Sequence, residues 1–251
     1  MKFSEEVAWV TGSSTGIGRA VAEALAREGR RVVVHYNASE EAARGVAEGI
    51  SSAGGEAMLV GGDVSDAGEV DRMVREIEDR YGRLDVLVNN AGSLVERRTL
   101  AEMTEDLWDR VMDVNLKSVY LCSRAVLPLM KRRGVGRIIN LTSVAARNGG
   151  GPGSVAYATA KGGVSTLTRA MAKELVSENI LVNGVAPGII TTPFHDRFTP
   201  PDVRENFKNA IPIGREGTPE ETASVVSFLA SSAANYLVGE IIEVNGGQLM
   251  S

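Results

Sequence analysis

Tyr157 and Lys161 stand four residues apart in "YATAK", inside a run that offers mostly Ala, Gly and Thr. The run has helical composition, and on a helix positions i and i+4 share a face one turn apart. A phenol and an ammonium facing the same space would make the phenolate easier to form, which suits acid–base work. A free tyrosine titrates near pH ~10, and bringing it to about 7 means about 4 kcal/mol. A unit charge about 4 Å away at an effective dielectric near 20 is worth about the same. Lys161 is therefore expected to lower the Tyr157 phenol toward neutrality. The spacing also arises by chance, so the pair needs elements that position it.

Those elements are legible as alternating strands and helices. "VAWV", "RVVVHY", "AMLVGG", "LDVLVNN", "GRIINLT", "NILVNGVA" and "GEIIEVNGG" read as strands. Most are continuously apolar, as strands covered on both faces are. Between two of them, "DAGEVDRMVREIEDRYG" sets Val70, Met73, Val74 and Ile77 on one helical stripe. This alternation predicts one α/β domain over residues 1–251, with a parallel sheet and helices on both faces. Residues 191–217, rich in proline (Pro193, Pro200, Pro201, Pro212), break the rhythm after a late strand. There they are expected to form a lid near the strands' carboxyl ends, or else a plain surface excursion.

The first strand leads into "TGSSTGIGRAVAEALA", where Gly12, Gly16 and Gly18 follow G-x-x-x-G-x-G. Glycines between a strand and a helix let the backbone turn tightly and approach a pyrophosphate, while the helix N-terminus supplies amides. No lysine follows the loop, so the Walker phosphate-binding pattern is excluded. A tight structural turn is the alternative reading.

Composition narrows the field. The chain has 251 residues, 43% hydrophobic and 24% charged, with a formal charge of −5 that argues against nucleic acid as a partner. Cys122 is the single cysteine and falls in an apolar helical pattern, so no internal disulfide forms. His35 and His195 lie far apart and no cysteines cluster, which argues against a metal site. No apolar stretch suits a signal peptide or a membrane span, so a cytoplasmic protein is expected.

"TGSSTGIG", "NNAG" at Asn89 to Gly92, Asn115 in "MDVNLKS", Ser143 in "INLTSVAA", Tyr157 with Lys161, and "APG" at Ala186 to Gly188 occur together in one order. In that order and spacing the chain resembles the short-chain dehydrogenase/reductase family over nearly its whole length. The resemblance implies a doubly wound, Rossmann-type sheet of seven strands that binds NADP(H) or NAD(H). It implies Ser143 as donor to the substrate oxygen, Tyr157 as acid or base, Lys161 as its partner and Asn115 as holder of a relay water; a satisfied buried amide is the other reading of Asn115. It also implies coenzyme contacts from Gly12, Ser14, Thr15, Gly16, Ile17, Gly18, Tyr36, Asn37, Asp63 and Val64. Further contacts would come from Asn90, Ala91, Gly92, Tyr157, Lys161 (which binds the nicotinamide ribose in the family), Pro187, Gly188, Ile190 and Thr192.

The position after the second strand where an acid would bond a ribose 2′-hydroxyl is Tyr36, with Asn37 and Ser39 beside it, which favours NADP(H); the absence of Arg at Thr15 speaks the other way. For substrate, a small polar carbonyl or alcohol of sugar or keto-uronate type is favoured. "NGGGPG" and "TPFHDRF" look like such reductases, and His195 and Arg197, with Arg97 and Arg98, are candidates to meet a carboxylate. The alternative is 3-oxoacyl-[acyl-carrier-protein] reductase, whose carrier docks on basic residues. Lys131 matches one of these, but Glu178 and Leu181 replace others. A non-catalytic dinucleotide-binding regulator is a further alternative. The family pairs two helices between subunits, here those following Asp106 and carrying Tyr157, so a homodimer or homotetramer is expected.

Overall fold

A computed structural model describes residues 3, 5–199 and 201–250, so Pro200 of the proline-rich segment lies outside the described residues. The chain alternates strands and helices from the start. β1 (Val7–Val10), α1 (Gly16–Arg27), β2 (Arg31–Tyr36), α2 (Glu40–Ser52), β3 (Glu56–Gly61), α3 (Ala67–Tyr81) and β4 (Val86–Asn89) form the first half. Then come α4 (Glu105–Met112), a π-helical turn (Asp113–Lys117), α5 (Ser118–Arg133), β5 (Gly136–Leu141), α6 (Ala145–Asn148) and α7 (Val155–Leu175). β6 (Ile180–Pro187), α8 (Pro193–Phe198), α9 (Pro201–Ala210), α10 (Pro219–Leu229) and β7 (Ile241–Val244) complete it. The seven strands make one sheet in the order β3-β2-β1-β4-β5-β6-β7, with every pairing parallel. The expected α/β, Rossmann-type single domain is what the chain forms.

Alternation along each buried strand sends side chains to two separate cores. Ala8, Val10, Val32, Val34 and Val88 pack under α1, α2 and α10. Val7, Trp9, Val33 and Leu87 pack under α3, α5 and α7. The stripe of Val70, Met73, Val74 and Ile77 on α3 is wholly buried in the second core. Asp66 caps α3 by accepting the Glu69 N–H at 2.9 Å, and Gly82 ends it at φ 66°. No described helix is long and apolar enough to cross a membrane.

Two features depart from the sequence pattern. The helix begun at Glu105 does not run on uniformly: it widens into the π turn that carries Asn115. α5 also spends most of its apolar surface inside the fold, burying Leu121, Cys122, Val126, Leu129 and Met130 and leaving Tyr120 at 47% exposure on its outer side.

Candidate active site

The sheet order reverses between β1 and β4, and in open α/β sheets the crevice for ligands lies at the carboxyl ends of the strands at such a point. A cavity of about 650 Å³ opens there, lined by the loops that follow β1 through β6. Every expected coenzyme-contacting residue lines it, as do Ser39, Ser143, Tyr157, Lys161, His195, Arg97 and Arg197. Arg98 and Asn115 do not. Arg98 is exposed and paired with Glu96.

The glycine loop is shaped for close approach of a ligand. Gly12 and Gly16 adopt left-handed backbone at φ 62° and 56°. A Cβ on Gly18 would collide with the Gly12 carbonyl and the Asn90 amide. The loop is fastened to the one after β4: Asn90 Nδ2 donates to the carbonyls of Thr11 (2.9 Å) and Gly12 (3.0 Å), while Thr11 Oγ1 accepts the Asn90 and Ala91 N–H groups, both at 3.0 Å. α1 begins immediately behind, so its free amides face the cavity. A bare backbone, a helix N-terminus and an elongated crevice fit a dinucleotide's pyrophosphate. At the crevice's other flank, Asp63 and Val64 follow β3, and Asp63 Oδ1 accepts from Ser65 N (2.8 Å) and Oγ (2.6 Å).

α7 presents Tyr157 and Lys161 on one face, as their spacing requires. Ser143, just past β5, lines the same cavity as Tyr157, and its Oγ accepts the Ala145 N–H at 3.1 Å. Lys161 is 4% exposed; its Nζ lies 5.7 Å from the Tyr157 ring centroid and donates to the Leu141 carbonyl at 2.7 Å. The electrostatics differ from the sequence-based expectation. Burial pushes the Tyr157 phenol up to about 12, with the nearby Ser143 hydroxyl opposing, and the same loss of water pushes Lys161 down to about 8. The ammonium donates to a carbonyl and lies over the ring, and loss of water is the largest cause of both shifts. At neutral pH the tyrosine is therefore a protonated phenol, the form that can give a proton away.

Asn115 is fully buried behind this group. Its Nδ2 donates to the carbonyls of Ser93 (2.7 Å) and Val111 (2.8 Å), and its Oδ1 accepts the Ser93 N–H at 3.1 Å. These bonds fit the reading as a satisfied buried amide. The amide stays close to the site, since a Cβ on Gly92 would stand 2.8 Å from Asn115 Oδ1 and 3.4 Å from Lys161 Nζ.

Comparison of the sequence with known proteins points to one family. A family-wide sequence profile described as Enoyl-(Acyl carrier protein) reductase matches residues 12–248. The chain is 44% identical to a 3-oxoacyl-[acyl-carrier-protein] reductase of Synechocystis sp., across 99% of this chain and 98% of that one. It is 43% identical to the 3-oxoacyl-[acyl-carrier-protein] reductase FabG of Staphylococcus aureus over the full length of both, and 43% identical to the short-chain reductase protein NovJ of Streptomyces niveus over 97% and 94%. The chain belongs to the short-chain dehydrogenase/reductase family. This short-chain dehydrogenase/reductase is an oxidoreductase of CH–OH and C=O groups that uses a nicotinamide nucleotide, and the bound nucleotide supplies or accepts the hydride. None of the relatives named here is a sugar or keto-uronate reductase, so the comparisons lend the favoured substrate reading no support and fit the 3-oxoacyl alternative better.

Phe194 and Gln248 line the cavity of this family member without having been picked out as site residues from sequence. Phe194 of α8 sets its ring 5.8 Å from that of Tyr157 and also contacts His195 and Phe198. Gln248, near the chain's end, packs against Gly188. Arg97 Nε donates to the Phe198 carbonyl (2.5 Å) and Nη1 to that of Pro152 (3.0 Å), joining α8 to the loop before α7. Burial pushes the Arg97 guanidinium below its usual value and the His195 imidazole down to about 4. The contacts of Phe194 with Tyr157, Gln248 with Gly188 and Arg97 with Phe198 and Pro152 each span a long stretch of chain, and no local pattern announces them.

Proposed function

We propose that the protein reduces the carbonyl of a 3-oxoacyl thioester to the 3-hydroxyacyl product, with NADP(H) as the favoured coenzyme and NAD(H) as the other possibility. The observation that carries the chemistry is the convergence of Ser143, Tyr157 and Lys161 on one dinucleotide crevice, with Lys161 Nζ 5.7 Å from the Tyr157 ring centroid. Ser143 donates to the substrate oxygen and steadies the charge that grows there. Tyr157 gives its proton to the same oxygen, and Lys161 holds the ring's surroundings through its bond to Leu141. Asn115 serves from behind by fixing Ser93 and the widened helix turn. The substrate class is supported by the names of the Synechocystis and Staphylococcus relatives.

NADP(H) is favoured because no acid follows β2 at the ribose end: Tyr36, Asn37 and Ser39 line the cavity there. The remaining coenzyme contacts are those of the glycine loop, Asp63 and Val64, Asn90 to Gly92, and Pro187, Gly188, Ile190 and Thr192. Residues 191–217 act as a substrate lid. Their ends close on one another where Thr191 N–H donates to the Gly217 carbonyl (2.9 Å) and Gly217 N–H to that of Ile189 (3.0 Å). A homotetramer or homodimer paired through α5 and α7, and a cytoplasmic location, go with this reading.

One observation favours a second substrate class, a small carbonyl compound bearing a carboxylate. Arg97 and Arg197 line the substrate end, and neither forms an ion pair among the described residues. In addition, Lys131 is engaged by Glu178 at 2.7 Å, which neutralises a cation that an acidic carrier would seek. The test is steady-state turnover of acetoacetyl thioesters and of small keto acids with NADPH and NADH. Thioester reduction with NADPH the better donor is expected. Turnover of keto acids alone transfers the assignment to the second class, and a strong NADH preference removes the coenzyme choice.

A further inference from the structure

His35 is 1% exposed at the end of β2, and the chemistry described so far does not use it. Strand alternation turns its ring toward the α3 side of the sheet, where it meets Trp9 edge-on with centroids 6.3 Å apart. Both ring nitrogens are engaged. The Gly12 N–H donates to Nδ1 at 2.9 Å, and Nε2 lies 3.0 Å from the Gly62 carbonyl. An N–H can only donate and a carbonyl can only accept, so the ring is the neutral tautomer with its proton on Nε2. The main chain adds to the linkage: His35 N–H donates to Ser13 Oγ (2.8 Å), Ser13 N–H to the His35 carbonyl (3.0 Å), and Ser13 Oγ to the Val10 carbonyl (2.8 Å).

Gly12 opens the loop shaped for the pyrophosphate, and Gly62 immediately precedes Asp63 on the adenine flank. One imidazole thus joins the two loops that grip opposite ends of the coenzyme's adenosine diphosphate half. We propose that His35 is a positioning residue for the dinucleotide, holding the glycine loop and the β3 loop at the separation the coenzyme needs. Burial keeps the ring neutral, pushing it down to about 4, while the Asp63 carboxylate pulls weakly the other way. β2 lies three strand spacings from β5, roughly 14 Å, so the ring does not touch the proton-transfer group. The inference rests on a nicotinamide nucleotide occupying this crevice.

The test compares wild type with His35→Phe, which keeps a ring but neither hydrogen bond, and with His35→Gln, whose amide oxygen can still accept from Gly12. Dissociation constants for NADP+ and NAD+ are measured by calorimetry, alongside kcat at saturating coenzyme and the melting temperature without it. Losing one or two buried hydrogen bonds predicts about a tenfold rise in Kd for His35→Phe, with kcat within about threefold, and recovery by His35→Gln to within about threefold of wild type. Should His35→Phe fail to fold, Ser13→Ala reads the same linkage and is expected to raise Kd about threefold. Wild-type affinity in the folded Phe or Ala variant overturns the inference. So does a loss of melting temperature and kcat at unchanged Kd, which marks a ring that is merely structural. Failure of the wild type to bind either nucleotide removes the coenzyme reading and this inference with it.

Discussion

The two halves of the crevice are built differently. On the coenzyme side, the loops after β1, β2, β3 and β4 are cross-linked to one another by short hydrogen bonds among Thr11, Gly12, Ser13, His35, Gly62 and Asn90. On the substrate side, α8 leans over Tyr157 through ring contacts, through the bonds of Arg97 and through partly exposed ion pairs such as Arg204–Glu216 at 2.6 Å. Nicotinamide dinucleotides share one pyrophosphate and adenosine frame, so the grip on it can be rigid. A substrate pocket opens and varies, and it is drawn from segments with fewer buried contacts.

The sharpest test of that contrast is Tyr157→Phe. It is expected to lower kcat by about 10²- to 10⁴-fold while the Kd for coenzyme stays within about twofold, measured by steady-state kinetics and calorimetry. A near-wild-type kcat would take the proton-transfer role away from Tyr157.

Acid should next separate the halves. The folded value of His35, about 4, lies below the ordinary 6.5, so the unfolded chain binds its proton first as pH falls. The stability this residue contributes is complete above pH 6.5 and declines by about 3 kcal/mol down to pH 4. Urea unfolding at stepped pH should show that decline reduced in His35→Gln. An unchanged slope would show that the ring accepts protons without unfolding. His195, held near 4 as well, sits in the segment proposed as a lid, where local opening admits the proton.

A smaller effect is expected from Arg97→Met. Losing its bonds to Phe198 and Pro152 should raise KM for the carbonyl substrate about tenfold and leave coenzyme affinity alone. Equal weakening of both ligands would erase the distinction between the halves. The smallest effect lies outside the crevice. Glu178→Lys frees Lys131 from an exposed pair, worth at most about 1 kcal/mol, and should raise kcat/KM up to about fivefold for a carrier-linked thioester at low salt but not for a coenzyme A thioester. No gain would mean the carrier does not approach this surface.

The sequence by itself determined the alternation of strands and helices, the parallel sheet, the glycine loop and the pairing of Tyr157 with Lys161 on one helical face. Each of these is written in local period or in short spacings, and local backbone geometry is enough to decode them. Only the tertiary structure decided the long-range matters. It set the direction in which Tyr157 and Lys161 are shifted, because burial depends on what surrounds a group and not on its neighbour four residues away. It placed Asn115 behind the site, Phe194 against Tyr157, Arg97 between α8 and the loop before α7, and His35 between Gly12 and Gly62. Such contacts join segments tens of residues apart, and their energy comes from water excluded and hydrogen bonds completed only when the whole sheet has closed.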